Sequence, residues 1–156
     1  MNGIAAGVDI LPPPLWHNVP MATATKPLAA PLTVSLQLDL AHIEAGVPLS
    51  AIAAFVASSG IPMKYVYKIV IPARTLKHRR DKKQTLTTDE SDKLARLARV
   101  FDHAVQVFGD PERAMRWLSR PKHRFDERTP IEMTQTDSGA RGVEEMLGQI
   151  EYGLFA

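Results

Sequence analysis

The chain has 156 residues, which is enough for one domain or two small ones with a hydrophobic core. It contains no cysteine, and this excludes disulfides, thiol nucleophiles and cysteine-based zinc fingers. The net charge of +2 hides an uneven distribution, because 17 of the 19 Lys and Arg residues lie between Lys64 and Arg128 with only 9 of the 17 acidic residues. This basic middle favours a polyanionic partner.

No apolar run in the sequence is long enough to span a bilayer. The longest strongly apolar run, residues 51–57, falls far short of the ~20 residues required. The N-terminus has no basic stretch before an apolar one, so we expect no signal peptide. We therefore expect a cytoplasmic protein without a membrane partner.

The first 45 residues are predicted to form an arm outside the folded domains. Residues 1–31 hold six of the twelve prolines and no periodic apolar pattern, so burial cannot offset the entropy lost on ordering them. Residues 32–40 alternate apolar and polar side chains, which favours a short strand that would need a partner. Alternatively, Leu36 and Leu40 suit a helix that ends near Gly46, and the pattern leaves both structures open.

Residues 46–86 are predicted to form a helix-turn-helix domain. Apolar residues three and four positions apart indicate a first helix that ends near Gly60, and a second helix follows it. Ile71 and Pro72 interrupt the second helix, and a third, strongly basic helix begins at Ala73. Two short helices joined by a turn of about three residues, the second of them basic, are typical of this motif.

The basic helix is the predicted recognition helix. Leu76 would pack on the partner helix, so the polar side chains around it point outward from the end that reaches base edges in this motif. Arginine can bind guanine through two hydrogen bonds, whereas basic groups farther along the helix contact mainly phosphate. The predicted DNA-binding residues are Arg74, Thr75, Lys77, His78, Arg79 and Arg80. A solvated basic helix without a partner is the alternative.

Residues 87–156 are predicted to form a second helical domain. The domain begins with a capping box of Thr87 and Glu90, and an apolar stripe then continues for about five turns to Phe108. Gly109 is suited to the left-handed conformation that ends a helix, and the Asp-Pro pair after it can start the next one.

The remainder of this domain repeats the same pattern of helix ends and starts. Thr129 and Pro130 begin a short helix, with Glu132 placed to complete a capping box. A final helix is predicted from Asp137 to just before Gly153. The apolar tail 154–156 either frays or inserts into a partner. The predicted fold is therefore all-α.

The sequence contains no recognisable catalytic or metal-binding set. There is no glycine-rich phosphate loop, no GxSxG or HExxH motif and no pair of histidines at ligand spacing. Asp102 and His103 are neighbours on a helix and point in different directions, so they form no dyad. We predict that the protein is not an enzyme, that it has no catalytic residues, and that it binds no metal and no cofactor.

Several short stretches occur together in the order found in one protein family. They are Ile71, Arg74-Thr75-Leu76, Leu86, Glu90-Ser91-Asp92, Leu97-Ala98-Arg99-Val100-Phe101, Phe108-Gly109-Asp110-Pro111, Ala114, Trp117-Leu118, Pro121, Arg128-Thr129-Pro130, Gly139-Ala140, Val143-Glu144 and Ile150-Glu151-Tyr152-Gly153 with the tail. From about residue 60 onward the chain thereby resembles antitoxins of the Xre/MbcA/ParS type, the partners of RES-domain toxins in type II toxin–antitoxin systems. The family often carries a glycine-rich turn where this chain has Phe125-Asp126-Glu127.

The resemblance implies an Xre/Cro-like helix-turn-helix domain followed by a small helical toxin-binding domain. The first would bind the operator of its own operon, usually as a homodimer, within a larger toxin–antitoxin hetero-oligomer. The second would cover the active site of an NAD-consuming RES-domain toxin, with Trp117 supporting the core. The candidate toxin contacts are Arg141, Glu144, Glu145, Tyr152, Leu154 and Phe155. Two alternatives are a stand-alone regulator whose C-terminal domain only dimerises, and a basic adaptor without sequence-specific DNA binding.

Overall fold

The computed structural model describes residues 31, 36 and 38–153. Its α-helices are α1 (Leu40–Ala45), α2 (Ser50–Ser59), α3 (Met63–Ile69), α4 (Ala73–Asp81), α5 (Thr88–Phe108), α6 (Pro111–Leu118), α7 (Pro130–Met133) and α8 (Asp137–Glu151). A short 3-10 helix, His123–Phe125, lies between α6 and α7, and the described residues form no strand beyond one isolated bridge between Lys122 and Arg128. The predicted all-α fold is confirmed.

The predicted N-terminal arm falls mostly on residues outside the described part of the chain. These include residues 1–30, and also 32–35 and 37 of the predicted strand. Leu38 is already buried in the core, and Leu40 begins α1 rather than ending a strand. The alternative helix ending near Gly46 is therefore the correct interpretation for residues 40–45. The predicted domain boundaries after residues 45 and 86 stay predictions.

The segment after α1 is fastened to the start of α5. The Leu86 amide donates a hydrogen bond to the Val47 carbonyl oxygen (2.9 Å), and the buried Ser91 hydroxyl accepts one from the Val47 amide (3.1 Å). Gly46 has a φ of +87°, and a Cβ there would lie 2.7 Å from the Leu86 carbonyl oxygen. Only glycine fits this close approach without strain.

The long helix α5 forms the centre of the hydrophobic core. Its predicted apolar stripe is buried, including Leu94, Leu97 and Phe101, and burial of each such side chain contributes about 1.5–3 kcal/mol. The helix packs against α6 and α8, and also against α1 and α2. The buried apolar side chains form one cluster that runs from Leu38 to Leu147. The two predicted domains therefore share a single core.

The capping residues predicted around α5 and α6 take the predicted roles. The Thr87 hydroxyl accepts from the Glu90 amide (3.2 Å), while the Glu90 carboxylate accepts from the Thr87 amide (2.8 Å). Gly109 ends α5 with a φ of +69°, and the Asp110 carboxylate accepts from the amide of Arg113 (2.9 Å). Local hydrogen bonding thus sets both ends of the junction, and each cap contributes about 1 kcal/mol.

The joint between α6 and α7 contains two non-glycine residues in the left-handed region. Asp126 has a φ of +53° and Glu127 a φ of +60°. This conformation costs an L-residue roughly 1–2 kcal/mol, and glycine adopts it without that penalty. The backbone here keeps the kind of turn that a glycine-rich sequence would form, although the glycines themselves are absent.

Two glycines in α8 provide a matched test of the packing. A Cβ on Gly139 would lie 2.1 Å from the Met133 carbonyl oxygen at the end of α7, whereas a Cβ on Gly148 would meet nothing within 4 Å. We expect Gly139→Ala to lower the free energy of unfolding by about 1–3 kcal/mol through overpacking. We expect Gly148→Ala to raise it by about 0.5–1 kcal/mol, since alanine favours the helix. Chemical denaturation measures both, and equal effects would contradict the α7–α8 packing.

Candidate DNA-binding and partner-binding surfaces

The turn between α3 and α4 is fixed by its own apolar side chains. Val70 and Ile71 are buried, and the Ile71 amide donates to the Val66 carbonyl oxygen (3.1 Å). Pro72 cannot continue a hydrogen-bonded helix, so α4 begins directly after it. Leu76 is buried on the inner side of α4. The predicted helix-turn-helix geometry of α3 and α4 follows from these contacts.

The outward face of α4 carries basic side chains without intramolecular partners. Arg74, Lys77 and His78 are exposed, and within the described residues their side chains make no ion pair or hydrogen bond, while Thr75 is half-buried beside them. Asp81 lies four residues after Lys77 and therefore shares this face. Asp81 is not among the DNA-binding residues predicted from the sequence, but its carboxylate has the chemistry to accept a hydrogen bond from a cytosine amino group.

Arg79 is turned away from this face and binds inside the protein. Its Nη2 atom lies 3.1 Å from Oε1 of Glu90, and its Nη1 atom donates to the Thr85 carbonyl oxygen at 3.2 Å. Glu90 is also the capping-box residue of α5, so one carboxylate holds both the start of α5 and the end of α4. Arg80, by contrast, is exposed beside an apolar groove between α2 and α4.

The end of α3 is connected to α7 by polar contacts. Lys68 Nζ lies 2.5 Å from Oε1 of Glu132, and Gln135 Nε2 donates to the Lys68 carbonyl oxygen at 3.1 Å. The hydrogen bond from Lys68 is the main reason why the pKa of Glu132 lies below its usual value. Arg96 of α5 also donates to the carbonyl oxygens of Thr134 and Gln135. These contacts position the C-terminal helices relative to α3.

One face of α8 projects into solvent. Arg141, Glu145 and Tyr152 lie on this face, and Tyr152 is the most exposed large hydrophobic side chain in the described part of the chain, at 75%. Glu144 points to the neighbouring face, where its carboxylate pairs with Nε of Arg99 at 2.7 Å. The other two predicted toxin contacts, Leu154 and Phe155, lie outside the described residues.

The charged residues on this exposed face of α8 form solvent-exposed ion pairs with neighbouring side chains. Arg141 Nε lies 2.9 Å from an oxygen of Asp137, and Arg124 contacts both Glu145 (3.6 Å) and Gln149 (2.8 Å). Exposed ion pairs of this kind stabilise a fold by only about 0–1 kcal/mol. A binding partner can therefore replace them at low cost.

A basic cluster on the second domain was not recognised in the sequence. It consists of Arg113, Arg116, Arg120 and Lys122, which surround the half-buried Trp117. The indole packs against Phe108 with ring centroids 5.6 Å apart, as expected for a side chain that supports the core. The spacing of three and four residues on α6 was the available signal. Lys122 lies beyond the end of α6, and only the tertiary fold brings its ammonium over the Trp117 ring.

The described residues contain neither a candidate membrane-spanning helix nor a candidate metal site. No helix among them combines the length and apolar character needed to cross a membrane. In the same part of the chain, no three acidic or histidine side chains come together in an arrangement able to hold a metal ion.

Comparison with known families matches both halves of the chain. Residues 39–99 match the antitoxin Xre-like helix-turn-helix domain, and residues 103–153 match the antitoxin Xre/MbcA/ParS C-terminal toxin-binding domain. Both matches confirm the resemblance recognised in the sequence.

Three similar proteins are each named Antitoxin Xre. They come from Pseudomonas putida strain KT2440 (52% identical over 87 residues), Photorhabdus laumondii (41% over 85) and Yersinia enterocolitica (38% over 87). The matched stretches cover 54–55% of this chain and 55–59% of the relatives. The chain thus spans little more than half the length of each relative.

Replacing Arg79 and replacing its neighbour Arg80 should have different effects on the free energy of unfolding. Arg79→Ala is expected to lower the free energy of unfolding by about 1–3 kcal/mol, because the largely buried Glu90 carboxylate loses its cation. Arg80→Ala, at an exposed position, should change it by less than about 0.5 kcal/mol. Urea denaturation of both variants checks this difference. Similar stabilities would show that the Arg79–Glu90 pair does not stabilise the fold.

Proposed function

We propose that this chain, which carries both domains of the Xre/MbcA/ParS antitoxins, neutralises a toxin protein with its C-terminal domain and represses its own operon with its helix-turn-helix domain. The observation that carries the proposal is the order of the two matched domains in one chain. It is supported by the unpaired basic face of α4 in the first domain and by the exposed face of α8 in the second.

In this proposal α4 enters the major groove of the operator. Arg74 is placed near the N-terminal end of the helix, where base edges are read, and binds a guanine. Thr75, Lys77 and His78 complete the contact, and Arg80 binds phosphate. Arg79 acts indirectly, since its pair with Glu90 holds α4 at a fixed angle to α5. A homodimer would read two half-sites about one helical turn, or a multiple of it, apart.

The proposed protein partner is an RES-domain toxin that consumes NAD. The exposed face of α8, with Arg141, Glu145 and Tyr152, covers the toxin active site together with the tail residues Leu154 and Phe155. Tyr152 is the proposed anchor, because a large exposed aromatic side chain can concentrate binding energy at an interface. Glu144 supports this surface through Arg99. The resulting complex contains an antitoxin homodimer and is cytoplasmic.

The DNA-binding half of the proposal is tested on the duplex directly upstream of the coding sequence. Arg74→Ala with Lys77→Ala should weaken binding to this duplex about tenfold or more, because each good base contact contributes about 1–3 kcal/mol. The matched control Lys93→Ala with Arg99→Ala removes the same charge from α5. Fluorescence anisotropy against random competitor gives both affinities. Binding of the wild type without preference for the upstream duplex would falsify the proposal of a specific repressor.

The toxin-binding half is tested by co-expression with the product of the adjacent gene. Tyr152→Ala should weaken the complex by about 2 kcal/mol or more, as expected for an interface anchor, and should abolish rescue of growth. Tyr67→Ala, which removes another exposed tyrosine on α3, should leave rescue intact. If no neighbouring product is toxic or co-purifies with the wild type, the chain is a stand-alone regulator instead.

A further inference from the structure

The basic cluster around Trp117 contains no acidic residue, and Glu112, which lines a neighbouring cleft with Arg116, forms no ion pair with it in the described part of the chain. Within the described residues, the side chains of Arg113, Arg116 and Arg120 form no ion pair and no hydrogen bond. The shallow depression that they line with Lys122 and Trp117, about 160 Å³ in volume, includes no acidic residue. Other arginines of the same domain, such as Arg124 and Arg141, do pair with carboxylates.

The positive charges of the cluster lie close to one another. The Lys122 ammonium is 4.8 Å from the centre of the Trp117 ring, so the aromatic face supplies the nearest favourable contact. Burial, and then the positive charge of Arg120, lower the pKa of Lys122. Such mutual repulsion is relieved when an anion binds, because each cation then gains an opposite charge.

The cluster is continuous with the DNA-binding domain along one surface. Arg116 also borders a cleft of about 490 Å³ between α6 and the end of α2, and Ala57 and Gly60 line the other side of that cleft. Ala57 in turn borders the groove that contains Arg80 of α4. Between Arg80 and Arg116 this surface consists of the apolar groove beside α4, the small side chains at the end of α2, and one carboxylate, Glu112.

The motif geometry indicates what passes over this surface. In a helix-turn-helix the first helix crosses the sugar–phosphate backbone while the second lies in the groove. Arg116 of the cluster shares a cleft with Gly60, in the turn that leads into α3, which is the first helix of this pair. The backbone of a duplex bound by α4 would therefore pass over α3, close to the cleft that Arg116 borders.

We propose that Arg113, Arg116 and Arg120 form a second contact with the phosphate backbone of the operator, outside the base pairs read by α4. This inference rests on the proposed DNA-binding function. The C-terminal domain then adds affinity without sequence information, because phosphates are the same in every sequence. It also fixes the register of the duplex against α4. Lys122 and Trp117 hold the cluster in place through their cation–π contact.

The salt dependence of DNA binding tests this contact. The variant Arg113→Gln/Arg116→Gln/Arg120→Gln is compared with Lys93→Gln/Arg124→Gln/Arg128→Gln, which removes three positive charges that have partners within the fold and that are not proposed to contact DNA or toxin. Affinity for the upstream duplex and for a random duplex is measured at several salt concentrations. The slope of log K against log salt should fall in magnitude by about 2–3 in the cluster variant only, since each lost phosphate contact removes about 0.9. The preference for the upstream duplex should remain.

The outcomes separate this inference from the proposed function. A wild type that does not prefer the upstream duplex overturns both. A wild type with that preference, but with the same slope in the cluster variant, overturns only the phosphate contact. An equal fall in slope for the control variant shows a general charge effect and also overturns it. Weaker binding of the co-expressed toxin, with an unchanged slope, assigns the cluster to the protein interface instead.

Discussion

The structure depends on the long helix α5, whose apolar side chains must be covered by both halves of the chain. The apolar stripe of α5 is covered by α6 and α8 of the C-terminal half and by α1 and α2 of the N-terminal half. A 21-residue amphipathic helix cannot keep such a stripe in water, so neither half completes its core alone. The family matches meet within this helix, between residues 99 and 103. The two matched domains therefore share one hydrophobic core.

Glu90 performs a similar double role at the level of single atoms. One of its carboxylate oxygens completes the cap of α5 and the other binds Arg79 of α4. Glu90 thereby fixes the orientation of α4 relative to α5, the helix that also organises the C-terminal half. Because the Arg79 guanidinium is held at two points, by the Glu90 carboxylate and by the Thr85 carbonyl oxygen, the contact restrains direction as well as contributing stability.

Features that depend on local sequence were predicted well. Thr87, Gly109 and Asp110 act on their own neighbours, so the helix ends that they define could be assigned from residue type and spacing. The buried stripe of α5 followed from its periodicity in the same way. Across residues 32–40 an alternating pattern competed with a helical one, and burial of Leu38 with an Asp39 cap decided for the helix from Leu40 onward.

Features that depend on distant residues could not be predicted from spacing. In the sequence, Arg79 is one more cation of a basic run. Its partner, Glu90, lies eleven positions later, and the fold brings the two together. Lys68 and Glu132 are separated by 64 residues, and only the packed fold brings them together. The left-handed conformation of Glu127 likewise does not follow from its residue type, because backbone contacts such as the hydrogen bond from its amide to the Lys122 carbonyl oxygen determine it.

The contact between Lys68 and Glu132 joins the helix-turn-helix to the C-terminal helices. Its strength limits how much binding at α8 and binding at α4 can influence each other through this contact. Both side chains remain partly exposed, so the pair contributes at most about 1 kcal/mol. Coupling between two binding sites is reciprocal and cannot exceed the free energy that the connecting contact loses or gains. If α4 binds DNA and α8 binds a partner as proposed, a partner that breaks this pair changes the DNA affinity by no more than about fivefold through this route. As far as this contact is concerned, binding at α4 and binding at α8 are nearly independent.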